Sequence, residues 1–287
     1  MKKTLVILGS GFDIDLGLNN SYSNFHNSHF NPFIFGNDKK WEDFEKTLRN
    51  EVKKWYYDGK NKQEAEELYK LKEDFSKNIS WFFTYCSDKF EINKETCAYR
   101  FLEYITETSM IYSFNYTNPY EYVDINQTNE IIHLHGRYYK DSFKKRRMVI
   151  SQGRNIILGI DDNCIPKDGF NNHHIHALVK KNHDIYKETN IIKDLLNVEN
   201  VIFYGFSMSI VDFSYFENFF SSIIDGTYNC KNIFYITYNK DSYDDFCRNL
   251  LNVNVDYKVI AKKVSLNPIY TINGREDKEF INMLRVI

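Results

Sequence analysis

The chain has 287 residues, of which 43% are hydrophobic and 17% aromatic. This composition can build a folded core and excludes a wholly disordered protein. Its 37 Lys and Arg nearly balance its 39 Asp and Glu, and the formal charge is -2 at pH 7. Because no overall positive field attracts nucleic acid or an anionic membrane, this balance disfavours either one as a partner.

The five cysteines are odd in number and scattered, and none of them forms a CxxC pair. They predict free thiols in a reducing cytosol. The first apolar run, Leu5–Leu8, is too short for the core of an export signal. No stretch approaches the roughly 18 uninterrupted apolar residues of a membrane helix. We therefore expect a cytoplasmic protein with no membrane partner.

Short runs rich in β-branched and aromatic residues alternate with longer stretches of helical spacing. Runs such as Leu5–Leu8 are apolar throughout, as strands of a parallel sheet covered on both faces require. The fold class predicted from this alternation is α/β with a mostly parallel sheet. The predicted strands are Thr4–Leu8, Met110–Phe114, Glu130–Leu134, Met148–Ser151, Val201–Tyr204, Asn232–Tyr238 and Val255–Val264.

Residues 39–108, between the first two predicted strands, contain no strand-like run. A second helical stretch runs from Ala65 through Phe75 toward Phe90. We predict that residues 39–108 form a helical insertion that caps the carboxyl ends of the strands, within a single domain spanning residues 1–287. The first helix of this insertion is indicated by one apolar stripe, made of Trp41, Phe44, Leu48, Val52 and Trp55.

A glycine-rich turn follows the first strand, in the order Gly9-Ser10-Gly11-Phe12-Asp13. A strand, a GxG turn and a helix together bring backbone N–H groups to an anionic phosphate. The third glycine of GxGxxG is missing and falls instead at Gly17, so the standard dinucleotide fingerprint fails. Two interpretations stay open: a nucleotide-binding turn, and a tight strand-to-helix connection.

Polar residues also follow three later strands. Asn115 and Thr117 come after the second strand, Gly205 and Ser207 after the strand at Val201–Tyr204, and Asn239 after the next. In open α/β sheets such positions face the ligand crevice. The alternative is that they cap turns and helices, as Asn, Ser and Thr commonly do.

Two histidines stand two residues apart in His133-Leu134-His135-Gly136. In a strand they would share one face, which is compatible with a metal pair. No third ligand lies nearby in the sequence, so we expect no metal. His135, beside Gly136, is predicted to lie at the strand tip, where its imidazole can act as a base near neutral pH. His133 is predicted to have a structural role.

Two other polar clusters are interpreted as solvated segments. The histidines His173, His174 and His176 lie in an Asn-rich stretch that we assign to a loop, and Lys144–Arg147 is the one concentrated basic run.

The order of these motifs resembles that of the bacterial abortive-infection AbiH proteins. Members open with a strand and GNGFDLxxGLxTxYxDF, and here the residues 9–25 read GSGFDIDLGLNNSYSNF. Ser10 replaces the usual Asn, and Asn24 replaces the usual Asp. The resemblance implies antiphage defence. It continues through the blocks Trp41–Glu45, Phe114–Thr117, His133–Gly136, Leu158–Asp162 and Tyr204–Ser207 followed by Asp212.

AbiH-like chains in turn look like distant relatives of sirtuin-like NAD-binding domains. This looser resemblance implies a Rossmann-like fold with NAD as substrate or ligand, whose glycosidic bond is hydrolysed. It implies His135 and Asn115 as catalytic residues. Thr117 stands where sirtuin-like sites have an acidic residue, and no four-cysteine zinc ribbon is present, so NAD hydrolysis fits better than deacetylation. The implied nucleotide-binding residues are Gly9, Ser10, Gly11, Phe12, Asp13, Thr117, Gly205, Ser207 and Asn239.

Two other functions stay open. One is a nucleotide-sensing, partner-binding module without hydrolysis. The other is a metal-dependent phosphodiesterase or nuclease that uses Asp13, His133, His135 and Asp162. The expected partner is a small nucleotide, and a phage-derived trigger and a homo-oligomer are compatible with it.

Overall fold

The structure, a computed structural model, describes residues 3–18, 44–86, 90–127, 129–138, 156–183 and 189–286. The predictions at Trp41, Asn24, Lys144–Arg147 and Met148–Ser151 lie outside the described residues. The chain divides into two compact units. The first unit comprises residues 1–19, 90–133 and 190–287, and the second comprises residues 20–89 and 134–189.

The first unit contains one sheet of six strands, all parallel in the part of the chain described. The strand order is β3-β2-β1-β4-β5-β6, so the direction of winding reverses between β1 and β4. This is a Rossmann-like α/β fold and confirms the predicted fold class. The strands are β1 (Thr4–Leu8), β2 (Ser109–Ser113), β3 (Ile131–His133), β4 (Asn200–Tyr204), β5 (Asn232–Thr237) and β6 (Ser265–Tyr270).

Ten α-helices accompany the sheet within the described ranges. Seven of them belong to the first unit: α1 (Ser10–Leu16), α4 (Cys97–Tyr104), α6 (Ile191–Asn197), α7 (Glu217–Asp225), α8 (Lys240–Asn252), α9 (Tyr257–Lys263) and α10 (Lys278–Leu284). The other three belong to the second unit: α2 (Phe44–Tyr57), α3 (Lys62–Cys86) and α5 (His173–His176).

The core of the first unit forms around the two central strands. Every residue of β1 and of β4 is buried, as a parallel strand with neighbours on both sides requires. Phe12 of α1 is fully buried and its ring meets that of Tyr204 edge to face, with 4.9 Å between centroids. Because Leu8 pairs with both Ser113 and Tyr204, the carboxyl ends of β1, β2 and β4 are level with one another.

In the described residues between β1 and β2, which are 9–18, 44–86 and 90–108, the regular elements are the helices α1 to α4. Helix α2 buries the residues of the predicted stripe, Phe44, Leu48, Val52 and Trp55. Helices α2 and α3 belong to the second unit, whereas α4 belongs to the first, where it packs on α1. The cap formed by residues 39–108 and the single domain of residues 1–287 stay predictions.

The predicted strand at Val255–Val264 is wrong, because most of this run forms helix α9. Asp256 caps that helix by accepting a hydrogen bond from the backbone N–H of Lys258, and Ile260 is its buried residue. The sixth strand, β6, follows directly after it. It lies at the edge of the sheet and contains Pro268, which an interior strand would exclude.

Four cysteines are unpaired and buried, and the prediction of free thiols holds for them: Cys97, Cys164, Cys230 and Cys247. Burial raises the pKa of the Cys97 and Cys230 thiols to about 12, and that of Cys164 to about 11. These thiols are therefore protonated and unreactive near neutral pH. Within the ranges described, no helix is long and apolar enough to cross a membrane.

Candidate functional site

Three glycines bring the turn after β1 against the turn after β4. The backbone N–H of Gly9 donates to the carbonyl of Tyr204 at 2.9 Å, and the N–H of Gly11 donates to the carbonyl of Gly205 at 2.9 Å. Gly205 has a φ of +60° and donates its own N–H to the carbonyl of Ile236. These hydrogen bonds join the carboxyl ends of β1, β4 and β5.

The close approach leaves no room for a side chain at any of the three glycines. A Cβ on Gly9 would lie 2.5 Å from the oxygen of Gly205, and one on Gly11 would lie 2.7 Å from the Cα of Gly205. A Cβ on Gly205 would lie 2.2 Å from the nitrogen of Phe12. The packing of backbone on backbone therefore accounts for these glycines, and two of the N–H groups predicted to meet a phosphate are bonded within the protein.

Asp13 lies at the centre of a buried hydrogen-bond cluster. Its side chain is only 1% exposed, and its two carboxylate oxygens accept hydrogen bonds from the amide of Asn115, at 2.9 Å, and from the hydroxyl of Thr117. The same Asn115 amide donates to the carbonyl of Gly9 at 2.9 Å. The fold thus brings together three predicted site residues, and they bind one another.

His133 joins this cluster through the backbone. Its Nδ1 lies 2.9 Å from the carbonyl oxygen of Asn115. A carbonyl only accepts, so Nδ1 carries the hydrogen. The prediction that His133 and His135 share a strand face is wrong. Strand β3 ends at His133, and His135 lies in a turn before Gly136, whose φ is +80°.

The remaining predicted residues of the first unit have separate environments. Ser10 is exposed at the first residue of α1, whereas the ring of Phe12 belongs to the core. Ser207 is exposed, and its carbonyl accepts a hydrogen bond from the side-chain amide of Asn249. Asn239 caps helix α8, because its amide oxygen accepts from the N–H and the hydroxyl of Ser242.

A second buried polar group, in the second unit, contains His135. The Nε2 atom of His135 lies 3.1 Å from Nζ of Lys180, and the same Nζ lies 2.7 Å from a carboxylate oxygen of Glu45. The lysine and glutamate side chains are 3% and 8% exposed. The other oxygen of Glu45 accepts from the N–H of Gly159 at 3.1 Å. One turn further along α2, Arg49 pairs with the buried Asp161.

The sequence signals these partners unequally. Glu45 ends the Trp41–Glu45 block of the resemblance, and Gly159 and Asp161 lie in its Leu158–Asp162 block. None of them was assigned to a site from the sequence, and these blocks are the signal that could have found them. Lys180 carried no signal, because it stands in a charged stretch that looks like any solvated segment.

The cluster His173, His174 and His176 does not lie in a loop as predicted, but forms the one-turn helix α5. Asn172 caps this helix by accepting from the N–H of His174 and of Ile175. An N-cap asparagine is a sufficient local reason for the turn. His173 and His176 are exposed, as expected of solvated side chains.

Comparison with known proteins places the chain in one family. The family model for bacteriophage abortive infection AbiH matches residues 5–234. No curated protein and no solved structure matches the chain. The matched range contains the glycine turn, the Asp13 cluster and the Glu45–Lys180–His135 group. This chain therefore belongs to the AbiH family of bacteriophage abortive infection proteins.

Proposed function

We propose that this chain acts in phage defence by binding NAD or a related nucleotide at the carboxyl edge of the first unit's sheet and hydrolysing its glycosidic bond. The observation that carries this proposal is the strand order. Winding reverses between β1 and β4, and in open parallel sheets ligands bind beyond the carboxyl ends of the strands at such a reversal.

Asn115, just beyond the end of β2, supports the proposal with a defined chemistry. Both hydrogens of its amide are engaged, by the carbonyl of Gly9 and the carboxylate of Asp13. The amide oxygen is therefore the atom that can bind a substrate, and it accepts a hydrogen bond from a ribose hydroxyl or a water. Asp13 and Thr117 hold the amide in this orientation.

Hydrolysis of a glycosidic bond passes through an oxocarbenium-like state that must be stabilised and reached by one water. In this proposal Asn115 orients the ribose or the water, and His135 is the catalytic imidazole. Ser10, Ser207 and Asn239 are the proposed nucleotide contacts. No metal is required, because nicotinamide leaves as a neutral molecule.

A non-catalytic nucleotide sensor is the second candidate. It is favoured by the fact that Asp13, Asn115 and Thr117 already satisfy one another, which is how a rigid binding platform is built. Metal-dependent cleavage is less favoured, because a metal bound by Asp13 would compete with two hydrogen bonds that its carboxylate already accepts.

Prolonged incubation of the purified protein with NAD, with and without a chelator, tests the proposal. Nicotinamide release that survives chelation supports hydrolysis. Binding in calorimetry without turnover indicates the sensor, and chelator-sensitive cleavage of nucleotide or nucleic acid indicates the metal enzyme. A protein that neither binds nor cleaves NAD, a related nucleotide or nucleic acid overturns all three.

A matched pair of variants locates the site. Ser10→Tyr adds a ring at an exposed position beside the β1 turn and should block the nucleotide without unfolding the protein. Ser221→Tyr makes the same change at an exposed position of α7 and should leave binding unchanged. Equal affinity in the two variants would place the nucleotide elsewhere.

A further inference from the structure

His135 has a defined hydrogen-bond partner in the second unit. Its ring and the side chains of Lys180 and Glu45 form a continuous buried chain, with 3.1 Å between Nε2 and Nζ and 2.7 Å between Nζ and the carboxylate. Backbone hydrogen bonds fix both ends of this series of three side chains. The carbonyl of His135 accepts from the N–H of Ile157, and Glu45 accepts from the N–H of Gly159.

This contact determines which nitrogen of the imidazole carries the hydrogen. A lysine ammonium has three donors and no acceptor. Its hydrogen bond to Nε2 therefore requires Nε2 to offer a lone pair, and a neutral ring with a lone pair on Nε2 has its hydrogen on Nδ1. We propose that Lys180 is a positioning residue that fixes His135 as the Nδ1–H tautomer.

Glu45 stabilises the ammonium form of Lys180, which is the form that can donate a hydrogen bond to His135. An unpaired lysine buried to this degree tends to lose its proton, and the carboxylate at 2.7 Å opposes that loss. With a neutral imidazole the charges of Glu45 and Lys180 cancel, which limits the cost of burying them. The site is built closely around the pair, because a Cβ on Gly159 would lie 2.1 Å from the carbonyl oxygen of Leu178.

The tautomer changes the role of His135 in catalysis. While Lys180 donates to Nε2, the lone pair of that nitrogen is already engaged and does not accept a hydrogen bond from water. The donor of this tautomer is Nδ1–H, and its chemistry suits a ribose hydroxyl oxygen. This consequence rests on the proposed function, whereas the tautomer itself does not.

Nitrogen-15 NMR of ring-labelled histidine tests the tautomer directly, with the His135 signals assigned by their loss in His135→Gln. In the wild-type protein we expect a protonated Nδ1 and an acceptor-type Nε2. Lys180→Met should shift His135 toward the Nε2–H form that free neutral imidazole favours. Lys180→Arg keeps a charged donor and should retain the wild-type pattern.

Arg49→Met is the matched control, because it breaks the neighbouring, partly buried pair with Asp161 and leaves Lys180 in place. It should lower the melting temperature without changing the His135 signals. A wild-type protein with Nε2–H overturns the proposal, and this measurement needs no variant that might fail to fold. An unchanged tautomer in folded Lys180→Met overturns it equally, as does an equal change in Arg49→Met.

Two isosteric substitutions test the catalytic consequence. An asparagine amide occupies the place of Nδ1 and can donate there, whereas a glutamine amide occupies that of Nε2. We expect His135→Asn to retain turnover about tenfold above that of His135→Gln, the worth of one hydrogen bond. Equal turnover in both overturns the donor role. A wild-type protein without turnover refutes the proposed hydrolysis and leaves the NMR result standing.

Discussion

The three glycines at the ends of β1 and β4 illustrate a residue requirement that comes from packing. Gly9, Gly11 and Gly205 each face backbone atoms at less than 3 Å from where a Cβ would stand. A larger residue at any of them must push apart two turns that also exchange hydrogen bonds. Loss of nucleotide binding in a glycine variant is therefore not evidence of phosphate contact by itself.

Gly11→Ala should destabilise the folded protein by about 1–3 kcal/mol, the usual cost of overpacking a rigid site. Chemical denaturation monitored by circular dichroism measures it, and Gly11→Val should cost more than Gly11→Ala. Gly11 is not among the glycines with a positive φ, so Gly11→Ala adds no left-handed strain and its loss of stability reports packing. Wild-type stability in Gly11→Ala would contradict the packing explanation.

Thr117→Val removes one hydroxyl donor from Asp13 and keeps the side-chain shape. We expect a loss of about 1–3 kcal/mol in the free energy of unfolding, since a buried carboxylate oxygen loses a charge-assisted hydrogen bond. Thr4→Val is the matched control in β1, because the Thr4 hydroxyl has only a 3.4 Å contact with the Asn200 amide. Equal losses in the free energy of unfolding in both variants would contradict a stabilising hydrogen bond from Thr117 to Asp13.

The sequence located these polar residues but not their partners. Asp13, Asn115 and Thr117 were all predicted at strand ends, and the level ends of β1 and β2 bring them together. Whether Asp13 caps its helix, binds a ribose or binds its neighbours depends on a register between strands that are far apart in sequence. No local pattern encodes that register.

At the level of elements, Asp15 connects three pieces of the first unit. From α1 it accepts a hydrogen bond from the N–H of Ala98 in α4 at 2.8 Å and one from the hydroxyl of Tyr204 in β4 at 2.6 Å. Burial raises the pKa of Asp15 above its ordinary 3.8, although both hydrogen bonds oppose the rise. The carboxylate is therefore bound well by its partners but poorly solvated.

This raised pKa predicts a pH dependence of stability. Between 3.8 and the folded-state pKa the folded protein binds more protons than the unfolded chain, so the stability contributed by Asp15 falls as pH rises through that window. Asp15→Asn can keep both hydrogen bonds through one oxygen and removes the titration. Its stability relative to wild type should rise across the window and then level off.

Unfolding curves measured from below pH 3.8 to neutral pH check this expectation. Asp256→Asn, at the exposed cap of α9, is the matched control for the chemical change. A difference between Asp15→Asn and wild type that stays constant over the whole pH range would contradict it.

The elements that the sequence predicted best are the buried ones. Strands β1 and β4 are apolar throughout and were found within one residue of their observed bounds. The run at Val255–Val264 is as rich in valine and isoleucine, yet the Asp256 cap makes most of it a helix. Strand β6 was missed because its sequence, SLNPIY, contains Pro268 and has no continuous apolar run. In the structure most of its residues are half-buried.

At the level of the whole molecule, the two units are stabilised differently. The first unit has a continuous ladder of six strands. In the described part of the second unit, the only bridge between extended segments joins Ile160 to Val179. Its described ion pairs include the buried pair Glu45–Lys180 and the partly buried pair Arg49–Asp161. Backbone pairing is therefore concentrated in the first unit.

Native-state hydrogen exchange should reflect this difference. We expect the amides of β1 and β4 to exchange slowest, and those of Ile160 and Lys180, which pair only across the single bridge, to exchange earlier. Mass spectrometry of the labelled protein after digestion measures both sets in one sample. Slower exchange at Ile160 and Lys180 than in β1 would contradict the expectation.

The two edge strands of the described sheet limit the pairing of a further strand with it. Strand β3, at one edge, is only three residues long. At the other edge the N–H of Ser265 donates to the carbonyl of Lys231, so by strand alternation the nitrogen of Pro268 faces outward, where it has no hydrogen to give. Neither edge offers an unbroken row of backbone donors to an added strand. Within the described residues, both edges are therefore poor templates for the edge-to-edge strand pairing that begins fibrous aggregation.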